Sequence, residues 1–462
     1  MTFIIDSTLR EGMQTAQGWW SVAQSIEVAR LLRRAGVDMI ECGHPSIGDT
    51  EARRVSAVVE AAGPVPVMAH ARATREDIDA VAGSGAPWVG IFLGINSISH
   101  RARLPSRTPG QLRAAIVDSV SHAVDRGLKV RFTVEDGGRT DPNDLLEVFQ
   151  AALRAGSQRV CFADTVGSLE PSAVGAAVAR LRHAFPGVEI EAHLHDDRGL
   201  ALANALAAID NGADWISTSV NGLGERAGIV DLAALSMNLY LRGTRRLTDG
   251  KILTELSTLV GAFSRAQPDA RRPVVGSQCF HHSAALHVQA VQRDPRSYEC
   301  IDPAIFGRER QCGVRAVSRE PKELVLRPPV ISATELRRHR HGPGDRYVLI
   351  DDRFCQGAGQ YCIARRIPLM SDYGEGHVDS HRHSCDSLFV FLGEDDNYEG
   401  LTVDVLLDGD WLRVESPVSV FIPAAMPHGY RVVAGSGTYL NHVLAGNYNS
   451  SLLNEPDRDA AT

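Results

Sequence analysis

Residues 191–197 of this 462-residue chain read EAHLHDD and follow the apolar pair Val188 and Ile190. Side chains two apart in a strand share a face, so Glu191, His193 and His195 would line one side of it. That face is a metal or proton-transfer site, or a piece of solvated edge. A second stretch, DSTLREGMQ at residues 6–14, sets Arg10 and Glu11 just after a short apolar run. Alone, an Arg-Glu pair there is equally well a surface ion pair. Joined to the two histidines, its carboxylate makes three hard or borderline ligands for one divalent ion and leaves positions open for substrate.

Residues so far apart in sequence need elements that bring them together. Short β-rich apolar runs recur at Phe3 to Ile5, Asp38 to Ile40, Val65 to Ala69, Trp88 to Leu93, Lys129 to Val134, Arg159 to Phe162, Val188 to Ala192 and Trp215 to Ser219. Between them lie amphipathic segments such as SVAQSIEVARLLRRAG, with apolar residues at helical spacing and Gly or Pro at the ends. Eight such units over residues 1–243 predict an α/β fold, a (β/α)8 TIM barrel. A doubly wound sheet is the alternative, but no GxGxxG follows the first run. Polar residues also fall where a closed barrel would gather them: Asp6, Arg10, Glu11, Glu41, His70, Arg131, Thr133, Glu135, Asp164, Thr165, His193, His195 and Asn221 all sit at the C-terminal ends of the runs.

The rhythm fades after residue 243. Residues 244–320 read as a helical subdomain or lid, 321–345 as a linker rich in Arg, His and Pro, and 346–450 as short strands punctuated by Gly, Asp and Pro. That last pattern predicts an antiparallel sandwich or barrel. A net charge of -8 and a pI near 6.1 give no reason to expect nucleic acid or an anionic membrane as partner. Small molecules are the expected ligands. The eight cysteines are scattered without a CxxC pair, as buried thiols in a reducing cytoplasm would be. The N-terminus lacks the regions of a signal peptide, and no apolar run approaches the roughly 20 residues that span a bilayer.

Over roughly residues 1–310 the chain resembles the metal-dependent barrel enzymes that include homocitrate synthase, isopropylmalate synthase and 3-hydroxy-3-methylglutaryl-CoA lyase. The motifs are DSTLREG, RFTVED, FADTVG, HLHDDRG, NGLGERAG and the later HSAALHV, DPRSYE and DPAIFG. Homocitrate synthase is the nearest, since Glu rather than Asp follows the Arg. The resemblance implies a homodimer with shared active sites and a Claisen condensation of acetyl-CoA with a 2-oxo acid. Glu11, His193 and His195 would hold Zn, Mg, Mn or Co. Arg10 would lie over the keto oxygen, Thr165 would hold the adjacent carboxylate, and Gln14, one helical turn from Arg10, would position it.

It implies proton transfer by Glu191 and His287 with Tyr298 beside them, and a distal carboxylate met by His70, Arg131 and Thr133. Glu191 could instead orient a ligand histidine. A guanidinium in a closed pocket favours an anionic tail. The departure is IECGHPS, where His44 stands near the pocket, so oxaloacetate and phosphonopyruvate compete with 2-oxoglutarate. His281 and His282 would pack or cap, Asp196 and Asp197 would cap or support, and Asn221 and Glu225 would hold their loop. A lyase running the related bond cleavage is the rival within this family, and a ligand-sensing regulator with an inert barrel is the rival outside it.

The C-terminal segment resembles a cupin. His381, His383 and His428 match its three histidines and would bind a second metal, but the glutamate expected four residues after His383 is Ser387. Either Asp386 substitutes as ligand or the site is degenerate. Three ligands on a sandwich serve sensing and assembly as readily as catalysis.

Overall fold

Eight parallel strands close on themselves in sequence order: β1 (Phe3–Asp6), β2 (Met39–Cys42), β3 (Val67–Arg72), β4 (Trp88–Gly94), β5 (Lys129–Glu135), β6 (Arg159–Asp164), β7 (Glu189–Leu194) and β8 (Trp215–Thr218). The pairing of Phe3 with Trp215 and of Asp6 with Thr218 shuts the cylinder, so the TIM-barrel expectation holds. The computed structural model describes residues 2–15, 20–313, 325–331, 336–338, 344–353, 355, 358–370, 373 and 378–454. Much of the expected linker at 321–345 lies outside them.

Local chemistry sets the helices between the strands. The helix Val22–Ala35 starts at Ser21, whose hydroxyl accepts from the Gln24 N–H while the Gln24 side chain accepts from the Ser21 N–H. It stops at Gly36, whose φ of 80° suits a residue without Cβ. Its buried stripe of Val28, Ala29, Leu31 and Leu32 covers the sheet. The helix Pro109–Asp125 repeats the device with Thr108, Gln111 and a proline at its first position.

Inside the barrel the two-residue period stacks side chains in tiers. The lowest is an apolar plug of Ile5, Met39, Met68, Trp88 and Trp215. Arg159 lies on it, its guanidinium 3.6 Å from the Trp215 ring centroid and 4.8 Å from that of Trp88. Above come Glu41, Arg131 and Glu191, and above those His70, Thr133 and His193. Gly90, opposite Arg131 on β4, is small of necessity, because a Cβ there would run into the Arg131 guanidinium and the His70 ring.

Residues 268–313 form one compact unit with the barrel chain up to Val260. They contain β9 (His281–His282), which pairs in parallel with β10 (Gln311–Cys312), and the helix Ala285–Arg293, of which only Val291 is buried.

The second unit comprises residues 261–267 and 314–462. Its six-stranded sheet runs in the order β11 (Val330–Ile331), β12 (Arg346–Ile350), β13 (Tyr361–Ile367), β19 (Gly437–Val443), β14 (Ser387–Gly393), β17 (Val418–Ile422). A three-stranded sheet has β16 (Asp410–Glu415), β15 (Leu401–Leu407) and β18 (His428–Gly435). All described pairings in both are antiparallel. Alternation turns Phe389 and Phe391 of β14, Val403 and Val405 of β15 and Tyr439 of β19 into one core. No helix among the described residues is long and apolar enough to cross a membrane.

Candidate active site at the barrel mouth

β1 ends in a tight turn in which the Ser7 carbonyl accepts the amides of Arg10 and Glu11 at 3.0 and 2.7 Å. The turn points Glu11 at β7. Its Oε2 lies 3.9 Å from His193 Nε2 and its Oε1 3.9 Å from His195 Nε2. The three candidate ligand atoms all lie within 4.8 Å of one another, and all three side chains are buried. Burial, then Arg10, pushes His193 down to about 3, so it is a neutral imidazole with a lone pair to offer. Burial acts to raise the Glu11 carboxyl, but Arg10 and the two imidazoles outweigh it and hold the group below its usual range. A buried carboxylate and two neutral imidazoles converging on one point fit a divalent ion.

The loop after β8 supports this trio. The Glu225 N–H donates to Glu11 Oε1 at 3.1 Å. Asn221, at φ 57°, turns away to the helix Gly250–Phe263, donating to the Ser257 carbonyl at 2.9 Å and accepting from its hydroxyl at 2.5 Å. Arg226 ties the loop to Asp197 at 2.7 Å and to the Thr165 carbonyl at 2.7 Å. Asp196 accepts from the Ala201 N–H, which starts the next helix.

Arg10 lies between two carboxylates. Its guanidinium contacts Glu11 and reaches Glu41 Oε2 through Nε at 2.8 Å and Nη2 at 2.6 Å. Glu41, fully buried, also accepts from Arg131 Nη2 at 2.6 Å and lies 3.5 Å from His70 Nε2. Burial opposes its ionisation, and Arg10 with Arg131 still holds it well below the carboxylate range. The sequence marks Glu41 only as a polar residue at a strand end. The signal for its role was the pair of arginines, since buried guanidinium groups require acids.

Glu191 is fully buried and takes Arg131 Nη1 at 2.6 Å, Ser217 Oγ at 2.9 Å and Arg159 Nη1 at 3.4 Å. Burial favours its neutral form, yet Arg131 and Arg159 keep it ionised. These contacts tie it to Arg131, Arg159 and Ser217. Arg131, in turn, donates to Glu41 and Glu191 through its two terminal nitrogens, while its buried Nε has no hydrogen-bond partner.

His70 stacks on Phe92 at 4.8 Å with the His44 ring edge-on at 4.9 Å, and burial holds it well below its usual pKa. Thr133 is buried one step above Arg131 on β5, and Glu135 continues that face to the mouth, where Arg103 pairs with it at 2.8 Å. The half-buried Thr165 accepts the Asp136 N–H on its hydroxyl at 2.8 Å. Gln14 is exposed at the end of the turn Gly12–Gln14, and no described contact joins its side chain to Arg10. His287 and Tyr298 stack at 4.0 Å but are exposed, and no described contact takes either to the trio. His282 pairs with Glu299 at 3.0 Å.

In the second unit, His381, His383 and His428 form another buried cluster with ligand atoms within 4.8 Å. Each Nδ1 faces an oxygen: the Asp379 carbonyl at 2.8 Å, Ser451 Oγ at 2.7 Å and the Met426 carbonyl at 2.8 Å. That fixes the tautomer and turns the Nε2 atoms inward. Those of His383 and His428 have no hydrogen-bond partner, and that of His381 meets the Tyr448 hydroxyl at 3.1 Å. Asp386 is not in the cluster. Its carboxylate accepts the Ala424 N–H at 2.8 Å and fastens the turn leading to His428.

A closed parallel barrel gathering a carboxylate, two imidazoles and an arginine at its C-terminal mouth defines a TIM-barrel protein with a divalent-metal ligand set. Residues 2–260 match the model of the HMGL-like family, and residues 274–324 match that described as homocitrate synthase post-HMGL domain-like. The homocitrate synthase of Pyrococcus abyssi is 40% identical over 307 residues, covering 66% of this chain and 84% of that protein. That of Sulfurisphaera tokodaii is 38% identical over 311 residues, covering 66% and 67%. Among solved structures, the HMG-CoA lyase of Brucella melitensis aligns with a TM-score of 0.52 at 21% identity, over 57% of this chain and 99% of that one. The hydroxymethylglutaryl-CoA lyase of Pseudomonas aeruginosa aligns with 0.51 at 21%, over 56% and 92%. These structures share the fold. The chain belongs to the HMGL-like family, and it is a homocitrate synthase-like acyltransferase.

Proposed function

We propose that the barrel condenses acetyl-CoA with a dianionic 2-oxo acid of the 2-oxoglutarate, oxaloacetate or phosphonopyruvate type and releases CoA. The observation that carries the substrate's charge is the balance inside the barrel. Arg10, Arg131 and Arg159 are buried against Glu11, Glu41 and Glu191, and His70 and His193 are held neutral. A divalent ion on Glu11, His193 and His195 would add two positive charges at this mouth, which a dianion offsets more fully than a branched monoanion does.

Bound there, the ion would supply Lewis acidity at the keto oxygen. Arg10 is placed to offset the negative charge that develops on that oxygen as the methyl carbon bonds to the keto carbon. Thr165 spends its acceptor on the Asp136 N–H and keeps its proton for the substrate carboxylate. Arg131, Thr133 and His70 shape the floor under the tail. The methyl proton goes to a base at the mouth, where Glu135 is the accessible carboxylate, with His287 and Tyr298 completing the site from a partner subunit. Water then cleaves the thioester and CoA leaves as thiol. On this reading the protein is a cytoplasmic homodimer, and its second unit is a cupin holding a further metal on His381, His383 and His428.

The test is a thiol-release screen of 2-oxo acids with acetyl-CoA and several divalent metals. Dianionic acids should exceed 2-oxoisovalerate at least tenfold in kcat/KM. Equal rates would sink the charge argument.

A further inference from the structure

His44 lies between Gly43 and Pro45 in the turn that follows β2, and local chemistry fixes where its ring goes. The proline biases it to extended backbone, as its φ of -122° and ψ of 93° show. Its N–H donates to Glu51 Oε1 at 3.2 Å, and Arg54 holds that carboxylate through Nε at 2.8 Å. Gly43 is small of necessity, because a Cβ there would run into Glu51 Oε1. Its carbonyl accepts the His70 N–H at 2.9 Å, which ties the turn to β3.

The ring so placed meets two others. His44 is edge-on to His70 at 4.9 Å and to Phe92 at 6.0 Å, and His70 stacks on Phe92 at 4.8 Å. The three make one wall across the β2 to β4 side of the mouth. Phe92 is the register partner of Thr133 on β5, so the wall runs on to that buried hydroxyl, one step above Arg131. Arg131 Nε is buried without a hydrogen-bond partner. A buried donor left unpaired costs free energy, which an acceptor on a ligand would relieve.

Contacts run unbroken from this wall to the metal trio. His70 Nε2 lies 3.5 Å from Glu41 Oε1, Glu41 Oε2 takes Arg10 Nη2 at 2.6 Å, and Arg10 contacts Glu11. Phe92 and His44 are only half-buried and keep surface that a ligand can cover. Burial, then the Arg10 charge, lowers the pKa of both imidazoles, so His44 gives the wall bulk and an N–H donor but no cation.

We propose that His44 sets the length of the substrate's tail. With His70 and Phe92 it closes the pocket early, so the 2-oxo acid carries a single carbon between its keto carbon and its terminal acid group, as oxaloacetate and phosphonopyruvate do and 2-oxoglutarate does not. This rests on the condensation proposed for the barrel and narrows it. An imidazole takes more room than the methylene that separates the two classes of acid, and its N–H donates to a terminal acid that stops at the wall. Arg131 Nε and the Thr133 hydroxyl meet the same acid from β5.

The experiment measures initial rates of thiol release with acetyl-CoA and oxaloacetate, phosphonopyruvate, 2-oxoglutarate or 2-oxoadipate, in the metal-loaded full chain and in His44→Ser. Calorimetry without acetyl-CoA follows the binding of malate and 2-hydroxyglutarate, stable analogues of the first and third acids. The parent should favour oxaloacetate over 2-oxoglutarate by about tenfold or more in kcat/KM, the discrimination that one methylene supports. His44→Ser should erase most of that ratio through the KM for 2-oxoglutarate, and malate should lose its advantage over 2-hydroxyglutarate in step. His44→Asn, smaller but still a donor, should give an intermediate ratio. A parent that prefers 2-oxoglutarate, or turns over both acids alike, overturns the length assignment and leaves the condensation standing. A folded His44→Ser that slows every acid equally overturns the role of His44, since a merely structural residue would do that. Binding that discriminates by length and stops doing so in His44→Ser, with no thiol released from any acid, supports the length assignment and overturns the condensation. A parent that neither binds nor turns over any of these acids overturns both. The parent's own preference needs no variant to fold.

Discussion

Glu191 and Glu135 are both acids on inward strand faces, and the proposed function gives them opposite work. Removing the Glu191 charge leaves Arg131 with one acid and Arg159 with the half-exposed Glu189, at 3.0 Å. Breaking a buried pair in this way costs about 3 to 5 kcal/mol. Glu191→Gln should therefore lower the melting temperature by many degrees. Glu135 pairs with a partly exposed Arg103, a contact worth less than about 1 kcal/mol. Glu135→Gln should leave melting nearly unchanged and lower kcat by roughly a hundredfold or more if it takes the methyl proton. A stable, inactive Glu191→Gln beside a fully active Glu135→Gln would reverse the assignment. His428 offers a titration test. Burial pushes it down from 6.5 to about 4, so it folds neutral and its unfolded form takes a proton first. The stability it contributes is complete above pH 6.5 and is lost as pH falls toward 4. The loss is about 3 kcal/mol. In chelated protein, His428→Asn should make the fall in melting temperature between pH 7 and 4.5 shallower. An unchanged slope would show that the imidazole protonates freely in the folded state.

Strands buried on both faces read as short apolar runs, which is why the barrel is legible element by element. The run Trp88 to Leu93 is β4 at Trp88–Gly94, and Lys129 to Val134 is β5 at Lys129–Glu135. The second run shows where that reading fails. Asp38 to Ile40 reads as a strand with the polar Glu41 at its end, and β2 is Met39–Cys42 and carries Glu41 buried within it. Nothing local announces this. The glutamate is made buriable by Arg10 and Arg131, 31 and 90 residues away. The period of two places His193 and His195 on one face from sequence alone, whereas the choice of Glu11 as their partner gained its weight from the family motifs. Asp386 was unreadable for a related reason, since spacing from His383 does not reveal that its carboxylate faces the Ala424 amide. Tyr448 gave no signal at all. It lies beyond the last strand, in a polar tail, and only the fold brings its hydroxyl to His381.

At the scale of the molecule, the unresolved demand is that of the segment 268–313. Its helix Ala285–Arg293 buries only Val291, while Leu286 is 76% and Tyr298 50% exposed, and His287 is exposed beside them. An apolar and aromatic face of this kind is unsatisfied in one chain, and the proton transfer proposed for His287 and Tyr298 does no useful work in bulk water. Both demands are met if the segment covers the mouth of a second barrel in a symmetric dimer, giving two equivalent sites that each draw on both chains. Complementation tests this. Glu11→Gln removes a metal ligand from the chain's own barrel, and His287→Ala removes a group delivered to the neighbour's. Each variant alone should be nearly inactive. When the two are co-expressed and the segment crosses, a mixed dimer has one site with both lesions and one with neither. Random pairing then restores about a quarter of the parent activity. If the segment stays over its own barrel, every site in the mixture carries one lesion, and dimers form without any recovery.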